Sequence, residues 1–209
     1  MEIRKIVNRP MDVNTYLVIK DNHCLIIDPS FSDKEILDEI QRNDLKPVGV
    51  VLTHAHFDHL ISVNTICLLY NIPLYVHKKE VEFLYDMNKN LSTHFYRTKG
   101  YTVDQKILVR TISEENKTIE LFSLNIYHVP GHSPGSIALH FKEANALISG
   151  DCLFNRSIGR TDLLGGDDEQ LQTSIKRKLW KLPDETIVYP GHGPHTTIGY
   201  EKKNNPYVR

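Results

Sequence analysis

The stretch Thr53-His54-Ala55-His56-Phe57-Asp58-His59 packs three imidazoles and a carboxylate into six residues, and few chains can accommodate such a loop without a partner for it. It follows the apolar run 48–52 and precedes a longer apolar run, 60–70. A short apolar run bounded by turn residues reads as a buried strand, and a longer one as a helix. The local unit is therefore strand, ligand-rich loop, helix. The rest of the chain must supply its scaffold and any further ligands.

Upstream, the runs 2–7, 15–20 and 23–27 read as short strands, with Lys20-Asp21-Asn22 as a hairpin turn and Asp28-Pro29 closing the third. Ser32 stands three residues before Glu35, a capping-box spacing, and Ile36, Leu37 and Ile40 then recur at helical intervals. Downstream, 72–76 reads as a strand and 79–87 as a short helix. The polar segment 88–104 has no assigned element. With Tyr85, His94, Phe95, Tyr96 and Tyr101 in or beside it, its aromatics are candidates to cover a site, since long loops often act as lids. The second half repeats the strand-rich pattern at 118–122, 124–129, 136–141 and 146–148. A helix over 168–181 follows, with Leu171, Ile175, Leu179 and Leu182 on one stripe and its lysines toward solvent. Two strand-rich halves, each closed by helices, imply an α/β chain of four layers in which two sheets lie between outer helices.

Three more ligand-type residues follow apolar runs at glycine-containing turns. Val129-Pro130-Gly131 leads to His132, Ile148-Ser149-Gly150 to Asp151, and Tyr189-Pro190-Gly191 to His192. Glycine permits a tight bend and close backbone approach, which aims the next side chain above the strand end. With His54, His56, Asp58 and His59 these make a set of five histidines and two carboxylates. Imidazole and carboxylate suit Zn²⁺ and neighbouring first-row metals, and seven ligands exceed the needs of one tetrahedral ion. Two metals are the natural solution, with Asp151 a candidate bridge. His23, His77, His94, His128, His140 and His195 read as structural.

The chain has 209 residues, 40% of them hydrophobic, enough to bury the core of a single domain spanning 1–209. Its net charge is -1, with Lys and Arg scattered, so it carries no electrostatic footprint for nucleic acid or an anionic membrane, and small molecules are the expected substrates. The first residues are too short and too charged for a signal-peptide core, and no apolar run approaches the ~20 residues of a membrane span. Cys24, Cys67 and Cys152 lie far apart, as free buried thiols in a reducing compartment would. A cytoplasmic protein is expected, and the sequence sets no oligomeric state.

At the ligand residues the sequence resembles the metallo-β-lactamase fold superfamily, whose His-x-His-x-Asp-His motif is followed by a His, an Asp and a last His in this order. Within it, the runs Gly150-Asp151-Cys152-Leu153-Phe154, Ser157-Ile158-Gly159-Arg160-Thr161-Asp162, Pro190-Gly191-His192-Gly193-Pro194 and Thr196-Thr197-Ile198-Gly199 look like those of the small glyoxalase II-like hydrolases. The resemblance implies an αβ/βα sandwich. It implies that His54, His56 and His132 bind one divalent ion, that Asp58, His59 and His192 bind a second, and that Asp151 bridges. Zinc is foremost, with iron or manganese as alternatives. Asp28 matches an aspartate that supports the metal loop, and Asp58 is the candidate for proton transfer.

The implied reaction is hydrolysis of a thioester of a 2-hydroxy acid, such as S-lactoyl-glutathione, by a hydroxide held between metals ~3.5 to 4 Å apart. Larger glyoxalase II enzymes carry a C-terminal helical substrate domain that is not expected here, and the positions of their thiol-gripping Lys and Tyr are matched by Arg160 and Asp162. Arg160 is a candidate to hold a substrate carboxylate. The main rival is a persulfide dioxygenase of the same fold, which uses a single Fe²⁺ on two histidines and a carboxylate. Lactonase activity and simple metal binding are further alternatives. A secreted β-lactamase is not expected, because the sequence shows no export signal and Cys152 only neighbours the bridging position.

Overall fold

The computed structural model describes residues 1–95 and 100–208, and Tyr96 and the Phe95 side chain, two of the aromatics expected near a site, fall outside the described residues. The chain divides into two compact units, Met1–Ile112 with Thr118–Phe122 and Ser113–Lys117 with Ser123–Arg209. Mixed six-stranded sheets and helices give the α/β class expected from the sequence.

The first unit runs β1 (Glu2–Asn8), β2 (Val13–Lys20), β3 (His23–Ile27), α1 (Asp33–Arg42), β4 (Lys46–Val51), α2 (Phe57–Leu60), α3 (Val63–Tyr70), β5 (Leu74–His77), α4 (Val81–Tyr85), α5 (Ser92–Phe95) and β6 (Val109–Ile112). These strands lie in sequence order in one sheet. The β1–β2 and β2–β3 pairs are antiparallel, and β3 through β6 are parallel. Asp21 and Asn22 both take positive φ, the geometry of a tight hairpin turn that suits these two residue types. Because β3 and β4 are parallel neighbours with Ile27 opposite Val51, Asp28 and Thr53 emerge side by side at one sheet edge.

Three expectations for this unit are corrected, and one strand is added. The Ser32 side chain makes no capping bond: its backbone leaves the extended region that a cap requires, and Asp33 instead accepts from Lys34 N at 2.7 Å. The helix expected over 60–70 is split into α2 and α3 at Ile61 and Ser62, where the Ser62 hydroxyl and amide turn to the Ser30 and Pro29 carbonyls. The helix expected over 79–87 is a 3₁₀ turn, Lys78–Glu80, followed by the shorter α4. Strand β6 was not expected, its residues having no clear alternation.

The second sheet contains β7 (Glu115–Ile119), β8 (Phe122–His128), β9 (Ile137–Phe141), β10 (Ala146–Gly150), β13 (Ile187–Pro190) and β14 (Thr196–Thr197), in the order β14-β13-β10-β9-β8-β7. A two-stranded ribbon of β11 (Leu153–Phe154) and β12 (Ser157–Ile158), then α6 (Asp168–Lys178), come before β13 (Ile187–Pro190), β14 (Thr196–Thr197) and α7 (Ile198–Asn204). The strand expected at 118–122 is cut by a turn at Glu120 and Leu121, where Glu120 has φ 52°. Helix α6 ends at Lys178, and its last expected turn is 3₁₀, Leu179–Lys181, yet Leu171, Ile175, Leu179 and Leu182 form the expected stripe in this unit's core. Strand β8 is antiparallel to β9, β9 to β10, and β10 is parallel to β13. The C-terminal ends of β8, β10 and β13 therefore share one edge, where His132, Asp151 and His192 follow.

Among the described residues no helix is long and apolar enough to cross a membrane. Cys24, Cys67 and Cys152 are free and buried, as expected.

Candidate metal centre

In the first unit the ligand loop leaves β4 and enters α2 with His54, His56, Asp58 and His59 all buried. The His54 ring lies 4.7 Å from that of His56, nearly perpendicular, and 4.2 Å from that of His59. Three imidazoles this close, withdrawn from water, would repel one another if protonated, so the arrangement favours neutral rings with lone pairs to share.

Asp28 ties this loop to β3. Its Oδ1 accepts from Thr53 N at 2.7 Å, and its Oδ2 accepts from Thr53 Oγ1 at 2.6 Å and meets His59 Nδ1 at 3.0 Å. Asp28 has φ 50°, in the left-handed region that Asp enters more readily than most residues. With Nδ1 bound to a carboxylate, His59 carries its proton there and presents the Nε2 lone pair, the standard orientation of a metal-binding imidazole. That Nε2 lies 3.8 Å from Asp58 Oδ2.

Two supports of this loop escaped sequence reasoning. Glu80, fully buried, accepts from Ala55 N at 2.9 Å, and the Asn90 carbonyl accepts from Phe57 N at 2.9 Å. Asn90 is itself anchored, its Nδ2 donating to the Phe83 and Tyr101 carbonyls. Thus part of the unassigned segment 88–104 lies beneath the ligand loop as a brace. Neither residue has a signal in the sequence, because each acts through a loop amide that tertiary packing alone brings near.

In the second unit His132 and Asp151 are buried and the His192 side chain is 29% exposed. His132 follows Gly131, whose φ of 131° suits glycine; a Cβ there would lie 2.4 Å from Leu171 N and 2.6 Å from the Asp167 carbonyl. The bend thus presses the His132 turn onto the start of α6, where the Asp167 side chain caps the helix through Gln170 N. His132 Nδ1 donates to the Arg160 carbonyl at 2.7 Å, which leaves Nε2 as the donor atom. Asp151 Oδ2 lies 3.7 Å from His132 Nε2 and 3.5 Å from His192 Nε2.

These separations are too long for hydrogen bonds. Two ligand atoms on one tetrahedral ion, each about 2.0–2.1 Å from it, stand about 3.4 Å apart. The donor types, the tautomers and the spacing within each unit therefore all fit divalent metal ions.

Arg160 engages two partners. Its carbonyl reaches His132, while its guanidinium forms an exposed two-pronged pair with Asp162, Nε to Oδ1 at 2.7 Å and Nη2 to Oδ2 at 2.8 Å. The guanidinium holds the Asp162 carboxyl well below the usual range, at about 2. The histidines read as structural include His128, bonded to the Pro134 carbonyl, and His77, which caps a 3₁₀ turn.

The model of the metallo-beta-lactamase superfamily matches residues 8–192. A probable metallo-hydrolase of Bacillus subtilis is 39% identical over 209 residues, covering 100% of this chain and 98% of its own length. A hydroxyacylglutathione hydrolase of Haemophilus influenzae is 33% identical over 190 residues, 90% of this chain and 88% of its own. Among solved structures, a B3 metallo-beta-lactamase superposes with a TM-score of 0.93 at 38% identity, covering 99% of both chains. A protein crystallised in a di-iron-bound form gives 0.86 at 35% identity, covering 98% of this chain and 99% of the other.

Proposed function

The chain belongs to the metallo-beta-lactamase superfamily, and from that membership we propose that the ligands of its two units together hold two divalent metal ions, in an enzyme that hydrolyses a thioester between a 2-hydroxy acid and a small thiol. The observation that carries the two-metal reading is the position of Asp151, whose Oδ2 is nearly equidistant from His132 and His192. In this reading His132 joins His54 and His56 on one ion, His192 joins Asp58 and His59 on the other, and Asp151 belongs to both. The thioester substrate rests on the similarity to a hydroxyacylglutathione hydrolase.

Ions held there supply Lewis acidity and lower the pKa of water from 15.7 to about 7, which provides a nucleophile at neutral pH. The protein's own contribution is orientation. Asp28 and the Arg160 carbonyl set the tautomers of His59 and His132. Asp58, buried beside His59, is the group assigned to proton transfer, and its carbonyl is held by the Ser30 hydroxyl. A departing thiol of pKa ~8.5 leaves as a thiolate without a dedicated acid. Arg160 remains the candidate to meet a substrate carboxylate, which would have to compete with Asp162 for the guanidinium fork. A cytoplasmic setting belongs to this reading, because that compartment keeps small thiols reduced. Zinc is the first choice of metal, and the di-iron-bound relative makes iron the second.

A second reading, β-lactam hydrolysis, is favoured by the similarity to a B3 metallo-beta-lactamase. Water activated in the same way would serve for a lactam carbonyl, but the leaving amine is far more basic than a thiolate and needs a proton. Assaying the metal-reconstituted protein against S-lactoyl thioesters of several thiols, a β-lactam and a persulfide separates the readings. Thioester turnover with Asp151→Ala inactive is expected. Lactam turnover alone, or oxygen uptake with the persulfide alone, would overturn the assignment.

A further inference from the structure

The ribbon β11–β12 and the residues that lead out of it lie against each proposed ligand of their unit. The ribbon begins directly after Asp151 and Cys152, and its Phe154 ring stands edge-on to the His192 ring at 6.1 Å. Its exit passes through Gly159, where a Cβ would lie 1.8 Å from the Asp151 carbonyl, so this segment runs flush against the Asp151 backbone. One residue later the Arg160 carbonyl accepts from His132 Nδ1. A shift of this ribbon would therefore move the environment of His132, Asp151 and His192 together.

The tip of the ribbon is fastened to a fully buried carboxylate on α7. Glu201 Oε2 accepts from Arg156 N at 3.0 Å and from Asn205 Nδ2 at 2.9 Å, while its Oε1 accepts from Thr196 Oγ1 at 2.7 Å. Asn205 Nδ2 also donates to the Ser157 carbonyl at 3.0 Å, and Asn155 Nδ2 to the His195 carbonyl at 3.3 Å. Arg156 has φ 55°, an unfavourable conformation for its residue type, which its bond to Glu201 helps to hold. All three donors to Glu201 are neutral, and a buried carboxylate tolerates this only when its hydrogen bonds are well made. Thr196 lies four residues after His192, so the same carboxylate also fixes the far end of the His192 turn.

We infer that Glu201 is a positioning residue for the metal centre, holding the ribbon 153–158 and the turn after His192 in the one arrangement that aligns His132, Asp151 and His192. The inference rests on the two-metal reading above. Helix α7 is thereby part of the metal site although it carries no ligand. The side chain is best tested by Glu201→Gln, which keeps the shape but forces an NH₂ group toward one of the existing donors, and by Asn205→Ala, which removes the bond to Ser157 and leaves the carboxylate in place.

The test has two arms on the full chain. Zn²⁺ affinity is measured by competition with a chelator, alongside the melting temperature of the metal-free proteins, and His132 ring nitrogens are followed by NMR without metal. Expected results are a loss of about tenfold in affinity in both variants, with folded proteins and a displaced His132 Nδ1 resonance. Variants that fold, bind Zn²⁺ as the wild type does and leave His132 unmoved would overturn the inference, as would a fall in melting temperature with affinity unchanged. A wild-type chain that binds no Zn²⁺ would instead overturn the two-metal reading, while the metal-free NMR arm would still decide the role of Glu201.

Discussion

Asp28 serves the ligand loop with both carboxylate oxygens, and its bond to His59 Nδ1 is the one that keeps a ligand in its metal-ready tautomer. Asp28→Asn replaces one acceptor with a donor that faces either the Thr53 amide or the Thr53 hydroxyl and His59. It is expected to weaken metal binding by roughly 10- to 100-fold without removing a ligand, as loss of such outer contacts does. Chelator competition measures this, and unchanged affinity would refute it. Burial pushes the Cys24 and Cys67 thiols up to about 12, so at pH 8 nearly all of each is the unreactive protonated form. Iodoacetamide at pH 8 is expected to leave both unlabelled in the native protein and to label both in denaturant, which peptide mass analysis reads directly. At this scale the ligands were legible because three imidazoles and a carboxylate crowd residues 54–59 and the other three ligand-type residues each directly follow a glycine. Glu80, Asn90 and the Arg160 carbonyl were not, because a carboxylate that braces an amide, or a backbone carbonyl that fixes a tautomer, has no characteristic spacing.

At the scale of the element, the turn before His132 carries a sharp prediction. Gly131→Ala places a Cβ within 2.4 Å of Leu171 N at a φ of 131°, against rigid backbone at the start of α6. A loss of roughly 3 kcal/mol or more is expected from the clash and the backbone strain together, read from the midpoint of a urea titration. A loss under about 1 kcal/mol, within the range of ordinary substitutions, would mean that the turn is more adaptable than it looks. The strands that deliver ligands were legible as apolar runs ending at glycine, and the stripe of α6 as a helical period. The turn at Glu120 and Leu121 was not, because neither residue type marks a turn and the run around them reads as continuous strand. The Ser32 cap failed for a related reason. Sequence spacing permits the bond, but Ser32 N already donates to Asn8 Oδ1 at 3.1 Å, which fixes the backbone in another conformation.

Across the whole molecule, the proposed ligands come from chain segments far apart in sequence: four from residues 54–59 and three from residues 132–192. Metal binding by this set would be coupled to native structure, since the unfolded chain cannot assemble it. A metal bound only by the folded protein stabilises it by roughly 4 kcal/mol when free metal exceeds Kd 1,000-fold. Removing metal with a chelator should lower the melting temperature, and readdition should restore it; an unchanged melting temperature would argue against a native-only site. The α/β class was legible from two strand-rich halves closed by helices, and the resemblance of the ligand motifs supplied the family. The two-metal proposal turns on the number of metals that support turnover. Titrating the metal-free protein with Zn²⁺ while following S-lactoyl thioester hydrolysis tests it most directly. Activity is expected to rise to a plateau at two equivalents per chain and to disappear in Asp151→Ala. Full activity at one equivalent, or a protein active only with a single iron and oxygen, would contradict it.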